Sequence, residues 1–213
     1  MNALITPNNN LIPQDFVNLS DIIPDAIYDL RYYTDYNFVG TSIDGYGAPV
    51  AMLTEKAAIA LKKASNTLRK KGYLLKIYDC YRPQRAVEHF MRWANDPVAE
   101  QMKSLFYPEV DKSQLFELGY LSAHSSHTRG STVDLTLVQA SDGAELDMGG
   151  AFDYFGESSH TFFNGLTEAQ LSNRLLLRSS MTTAGFIPLE EEWWHFTLSD
   201  EPYPDTYFDF PIQ

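Results

Sequence analysis

The chain has 213 residues, enough for one ordinary domain with a sizeable core, and its 28 acidic against 16 basic side chains give a formal net charge of −12. That balance argues against nucleic acid or an anionic membrane surface as a partner, since either calls for a basic patch, and favours a small or zwitterionic ligand. The single cysteine, Cys80, excludes an internal disulfide, and residues 1–20 show neither a signal peptide nor a membrane span, so a cytoplasmic protein is expected.

Residues 1–24 read as an irregular lead-in punctuated by Pro7, Pro13 and Pro24. A strand is expected over 26–33, then a Gly-punctuated loop over 34–49 whose Tyr36, Phe38 and Tyr46, with Tyr32 and Tyr33 at its edge, suit packing over a core better than ligand contact. Thr54 can cap a helix over 54–71 with Ala57, Leu61, Ala64 and Leu68 on one face and Gly72 as its stop. A strand over 73–78 breaks at Asp79-Cys80-Tyr81-Arg82-Pro83, and Pro83 suits the first position of a helix over 84–95. Arg82 is thereby held at a strand-to-helix corner, where an isolated Arg normally pairs with a nearby carboxylate. Residues 96–119 read as a short helix and a loop.

Over 132–138, Val133, Leu135 and Leu137 alternate with Thr132, Asp134 and Thr136, a strand signal. An Asp in mid-strand is disfavoured unless a hydrogen-bond network or a cation holds it. His127 belongs to the loop before that strand, and Gly130 lets the backbone bend far enough to bring the imidazole to Asp134. The pair suits half of a zinc site, or equally a buried structural hydrogen bond. Asp142-Gly143 signals a hairpin back through 144–148, Asp153 sits among Phe152, Tyr154 and Phe155, and Thr167 with Gln170 opens a helix over 168–183 stopped by Gly185. A last strand falls near 193–198, and the Pro- and aromatic-rich tail 202–211 reads as a belt on its own domain.

Glu192-Trp193-Trp194-His195 brings a second histidine. His127, Asp134 and His195 then form a three-ligand zinc site with a position open to water, the catalytic pattern, whereas one cysteine cannot close a thiolate site. Glu192 is the candidate base for that water, although taken alone it belongs to the solvated run Glu190-Glu191-Glu192. In a regular strand Glu192 and His195 point to opposite faces, so an irregularity is predicted at Trp193 or just before it. His89, His124 and His160 compete as ligands, but a lone histidine is more often hydrogen-bonded or solvent-facing.

The run from Ser125 through His127, Gly130 and Asp134 to Leu137, the Glu192-Trp193-Trp194-His195 quartet and Tyr81-Arg82-Pro83 together resemble the VanX-type D-alanyl-D-alanine dipeptidases, zinc peptidases that share a fold with D,D-carboxypeptidases and the Hedgehog signalling domain. The likeness runs from about Tyr32 to the end and includes Met148-Gly149, Phe152-Asp153, Asp200-Glu201-Pro202-Tyr203-Pro204 and Tyr207-Phe208-Asp209-Phe210-Pro211. It implies one zinc per chain on His127, Asp134 and His195, with Glu192 as general base and Arg82 polarising the scissile carbonyl. It also implies Asp153 receiving the substrate's ammonium, with Ser125 and Tyr32 near the bound dipeptide. One departure is Cys80, where the family commonly has a small residue, often Gly; no activating base stands beside it in sequence to make it a nucleophile.

The expectation is therefore a single α+β domain over 1–213, a central antiparallel sheet flanked by helices over 54–71, 84–95 and 168–183, that hydrolyses D-alanyl-D-alanine to D-alanine. The rivals are a D,D-carboxypeptidase acting on peptidoglycan precursors and a zinc-stabilised binding domain without catalysis. The presence of both Glu192 and Arg82 speaks against the latter. Glycopeptide resistance, cell-wall turnover and nutrient recovery would all be served by the same hydrolysis.

Overall fold

The computed structural model describes residues 4–5 and 11–213. Its strands are β1 (Leu4–Ile5), β2 (Phe16–Asn18), β3 (Ile27–Tyr28), β4 (Met52–Thr54), β5 (Tyr73–Asp79), β6 (Thr132–Gln139), β7 (Phe186–Pro188), β8 (His195–Leu198) and β9 (Thr206–Tyr207). Its α-helices are α1 (Leu19–Ile22), α2 (Glu55–Arg69), α3 (Gln84–Ala94), α4 (Lys103–Phe106) and α5 (Glu168–Thr183). Five strands form the central sheet in the order β3-β5-β6-β8-β7, antiparallel throughout except for β3 on β5.

Thr54 caps α2 by accepting the Ala57 N–H, and Ala57, Leu61, Ala64 and Leu68 are buried against β5 and α5. Each such leucine is worth roughly 1.5–3 kcal/mol over an exposed one. The capping box of Thr167 and Gln170 starts α5, which lies along β7. β6 is the middle strand, and residues 132–138 are buried on both faces. The alternation of apolar and polar residues along β6 thus separates a packed face from a chemical one, not a dry face from a wet one.

Several expectations are corrected. Residues 1–3 and 6–10 of the lead-in lie outside the described residues, but 16–22 are regular: β2 pairs antiparallel with β4, and Asn18 accepts the Ser20 N–H to cap α1. The strand expected over 26–33 stops at Tyr28, because Asp29 turns to Arg31 at 3.0 Å and Lys76 at 3.1 Å; a 3₁₀ turn over Arg31–Tyr33 follows and buries Tyr32. Pro83 is the cap before α3 and not its first residue, in keeping with its extended ψ of 149°. The hairpin at Gly143 shrinks to one bridge, Val138 to Glu145, since Glu145 is drawn sideways by Tyr78 and Lys76. The short edge strand β7 was not predicted; its edge position admits Pro188. The tail is a belt: Phe208, Phe210 and Ile212 are buried, and Tyr81 stacks on Phe210 at 4.1 Å while donating to its carbonyl. No helix among the described residues is long and apolar enough to cross a membrane.

Candidate active site

Register assembles one side of the site. Asp134 on β6 lies opposite His195 on β8 and opposite Asp79 on β5, so three side chains project from neighbouring points of one face. A bulge between Ile77 and Asp79 is what sets Asp79, not Tyr78, beside Asp134. His127 comes from a 3₁₀ turn, Ser126–Arg129, which Ser125 caps through its hydroxyl and Gly130 ends at φ +80°. The Cys80 carbonyl can only accept, so His127 donates Nδ1–H to it at 2.7 Å and turns the lone pair of Nε2 inward.

His127 Nε2 lies 3.2 Å from Asp134 Oδ2, His195 Nδ1 lies 3.1 Å from Asp134 Oδ1, and the two nitrogens are 3.2 Å apart. Their ligating atoms fall within 4.8 Å of one another, and Asp134 Oδ1 is buried without a hydrogen bond. Ser126 Oγ, 3.0 Å from His195 Nε2, can accept its proton and leave Nδ1 bare. With His195 in that neutral form three acceptors converge on one point, and a donor set of two imidazoles and a carboxylate suits Zn²⁺. Burial disfavours the Asp134 charge, but His127 and His195 outweigh it and hold the carboxyl far below its usual range. Burial likewise opposes charge on metal-free His195, yet the adjacent Asp134 and Glu192 carboxylates raise it to about 9.

The expected irregularity before His195 is a turn: the His195 N–H donates to the Glu192 carbonyl at 3.2 Å across Trp193 and Trp194, and β8 begins only at His195. This places Glu192 Oε2 3.3 Å from His195 Nδ1. Arg82 stands at its corner with Nε and Nη2 at 3.0 and 2.9 Å from Asp79 Oδ2, under the rings of Tyr32 and Phe90. Asp79 also accepts from Tyr46 at 2.7 Å; burial, only partly offset by Arg82, raises its carboxyl above the ordinary value. Asp153, 4 % exposed, is the one non-glycine with positive φ, 60°, among the described residues. The Tyr32 hydroxyl donates to its carboxylate at 2.9 Å, and burial with the nearby Asp134 and Glu192 charges pushes it well above the usual range.

These residues share one cavity of about 260 Å³, which Tyr32, Arg82, Ser125, His127, Asp134, Asp153, Glu192 and His195 all line. Of the rival histidines, His89 accepts from the Asp44 N–H, His160 meets Tyr120, and His124 reaches the cavity wall beside Tyr207; none joins the three-ligand cluster. Cys80 is buried, and burial pushes its thiol up, away from nucleophilic use. Sequence reasoning passed over Asp79 and Ser126. Asp79 stands three residues before Arg82, a visible spacing, but its placement beside Asp134 depends on a bulge.

The family model described as D-ala-D-ala dipeptidase, within the M15 peptidases, matches residues 13–213. The D-alanyl-D-alanine dipeptidase of Enterococcus faecium is 41% identical over 198 residues, covering 93% of this chain and 98% of that one. The Streptomyces coelicolor enzyme of the same name is 40% identical over 198 residues, with the same coverage, and the Escherichia coli one 35% over 184 residues, 86% of this chain and 84% of that one. A match that runs through every residue of the cavity and nearly the full length of two relatives settles kinship: the chain belongs to the D-Ala-D-Ala dipeptidase family of M15 peptidases.

Proposed function

We propose that the chain hydrolyses free D-alanyl-D-alanine to two molecules of D-alanine, with one zinc held by His127, Asp134 and His195. The observation that carries this is the placement of Glu192 and Arg82 beside the three-ligand cluster, with Asp153 and Tyr32 lining the same cavity. When bound, zinc supplies a Lewis acid that polarises the scissile carbonyl and makes water acidic near neutral pH. Glu192 takes the proton of the attacking water and returns it to the leaving amine. Arg82, anchored by Asp79 through Nε and Nη2, donates to the oxyanion that develops on the carbonyl; one such donor is worth about 3–4 kcal/mol in the transition state.

Asp153 receives the substrate's ammonium and Tyr32 fixes its rotamer. Burial favours the neutral carboxyl in the free protein, and the arriving ammonium is the counter-charge that draws out the carboxylate. Ser125 lies near the bound dipeptide while its hydroxyl accepts from His127. A demand for a free N-terminus makes a dipeptidase of a peptidase. The cavity, about 260 Å³, lies below the roughly 300–1,000 Å³ usual for drug-sized ligands and fits a small substrate.

Amino-acid release by the zinc-loaded protein tests this with D-Ala-D-Ala, L-Ala-L-Ala and a pentapeptide ending in D-Ala-D-Ala. The D,D-dipeptide alone is expected to be cleaved, with about a 10²–10⁴-fold loss of kcat in Glu192→Ala at undiminished zinc content. A zinc-loaded wild type inert on D-Ala-D-Ala, or one that prefers the pentapeptide, would overturn the proposal.

A further inference from the structure

Arg174 on α5 is 5 % exposed and lies outside the cavity lining, yet among the described residues no carboxylate pairs with it. Its guanidinium donates instead to three backbone carbonyls: Met148 at 2.6 Å through Nε, His160 at 2.8 Å through Nη1 and Ser158 at 2.6 Å through Nη2. Burial without a counter-ion lowers its pKa to about 10. Burying a cation this way is costly, and a core helix facing a loop needs no charge to pack. The carbonyls it gathers explain the choice.

Asp147 and Met148 begin the loop that delivers Asp153, and Asn173, next to Arg174, holds the Asp147 carbonyl at 2.9 Å. Ser158 and His160 flank a second strut, in which the Ser159 carbonyl accepts from the Trp193 N–H and the Thr161 N–H donates to Glu190, each at 2.8 Å. Thr161 Oγ1 adds a bond to the Leu189 carbonyl, and Arg174 itself lies 5.5 Å from the Trp193 ring. One guanidinium thus joins the loop carrying Asp153 to the segment carrying Glu192. We propose that Arg174 is a positioning residue that fixes the ammonium-binding and proton-accepting sides of the cavity at their working separation. This rests on the roles given above to Asp153 and Glu192.

Arg174→Lys keeps the charge but cannot span three carbonyls. In the zinc-loaded protein it is expected to lower kcat by about a hundredfold, as a displacement near 1 Å does, and to raise KM. It is also expected to narrow the preference for D-Ala-D-Ala over its N-acetylated form by about tenfold, as freed placement of Asp153 requires. Thr161→Val, which touches only the Glu192 strut, should lower kcat and leave that preference within about twofold. A merely structural role would lower the melting temperature and leave kcat, KM and the preference within about twofold, and that result for Arg174→Lys overturns the inference. Should Arg174→Lys fail to fold, an unchanged kcat in Thr161→Val overturns it. An inert wild type would instead remove the parent reading, and this inference with it.

Discussion

The two sides of the cavity are built by different means. Asp79, Asp134 and His195 form a row across β5, β6 and β8, set by the register of β6 with the strand on each side of it. Opposite them, Tyr32 sits in a 3₁₀ turn and Asp153 at φ 60°, in a loop tied down by Tyr32, Asn173 and Arg174. Positive φ in a non-glycine costs of order 1 kcal/mol and persists only where the surroundings over-determine it. In the proposed reaction the sheet side sets whether chemistry occurs, and the loop side sets which molecule receives it. Arg82 and Arg174 follow the same division, Arg82 meeting carboxylates in the row and Arg174 meeting carbonyls of the loops.

Asp134→Ala should break the sheet side most completely. It leaves two imidazoles without their shared anion, so zinc affinity should fall by more than the roughly 10–100-fold lost with an outer-shell partner, and turnover should go with it. Equilibrium dialysis against a chelator measures this; a variant that keeps zinc at wild-type affinity would remove Asp134 from the ligand set. Arg82→Lys is next. A lysine keeps the charge but not the planar fork that meets Asp79 and the substrate together, so kcat should drop about 10²–10³-fold with zinc retained. Equal losses from Asp79→Asn would show that Arg82 acts only when anchored.

Asp153→Asn tests the loop side. Asn tolerates the same φ and keeps a partner for Tyr32 but brings no charge to an ammonium. KM for D-Ala-D-Ala should rise by about 10–100-fold, the worth of a charge-assisted hydrogen bond, with kcat less affected. The N-acetylated dipeptide should be insensitive to the change. If both substrates lose activity alike, Asp153 serves the fold and not recognition.

Much of the sheet side was legible because a strand's period is visible in one sequence: the alternation over 132–138 gave Asp134 its face, and Gly130 gave His127 its bend. Glu192 and His195, three apart, required an irregularity at Trp193 or just before it, and a turn through Trp193 and Trp194 supplies it. What the sequence hides is pairing between distant segments. Asp79 gains its place from a bulge against β6, and Ser126 matters only because His195 arrives from 69 residues away. Arg174 reads as an ordinary polar helix position, since nothing local says that loops will close over it. The truncation of β3 at Tyr28 was only partly local, since Asp29 meets Lys76 of β5 as well as Arg31 two residues on.

Gly130→Ala carries the smallest expected effect on turnover and probes how the lead-in braces the sheet side. Gly130 ends the His127 turn at φ +80°, its carbonyl accepts the Thr54 N–H, and an added Cβ would lie 2.3 Å from the Phe16 ring. Alanine in the left-handed region costs roughly 1–2 kcal/mol by itself, and the ring clash must add to it. Phe16 meets Tyr81, Phe208 and Phe210 edge-on at 5.0–5.3 Å, so it has little room to retreat. Phe16→Ala alone should cost about 3–5 kcal/mol as a large-to-small core change. In the double variant the ring is gone, so the clash term vanishes and the two losses should fall short of adding by about 0.5–3 kcal/mol. Denaturant melts of the four proteins measure that difference. Additive losses would mean that Phe16 and Gly130 do not brace each other and that the His127 turn stands without β2.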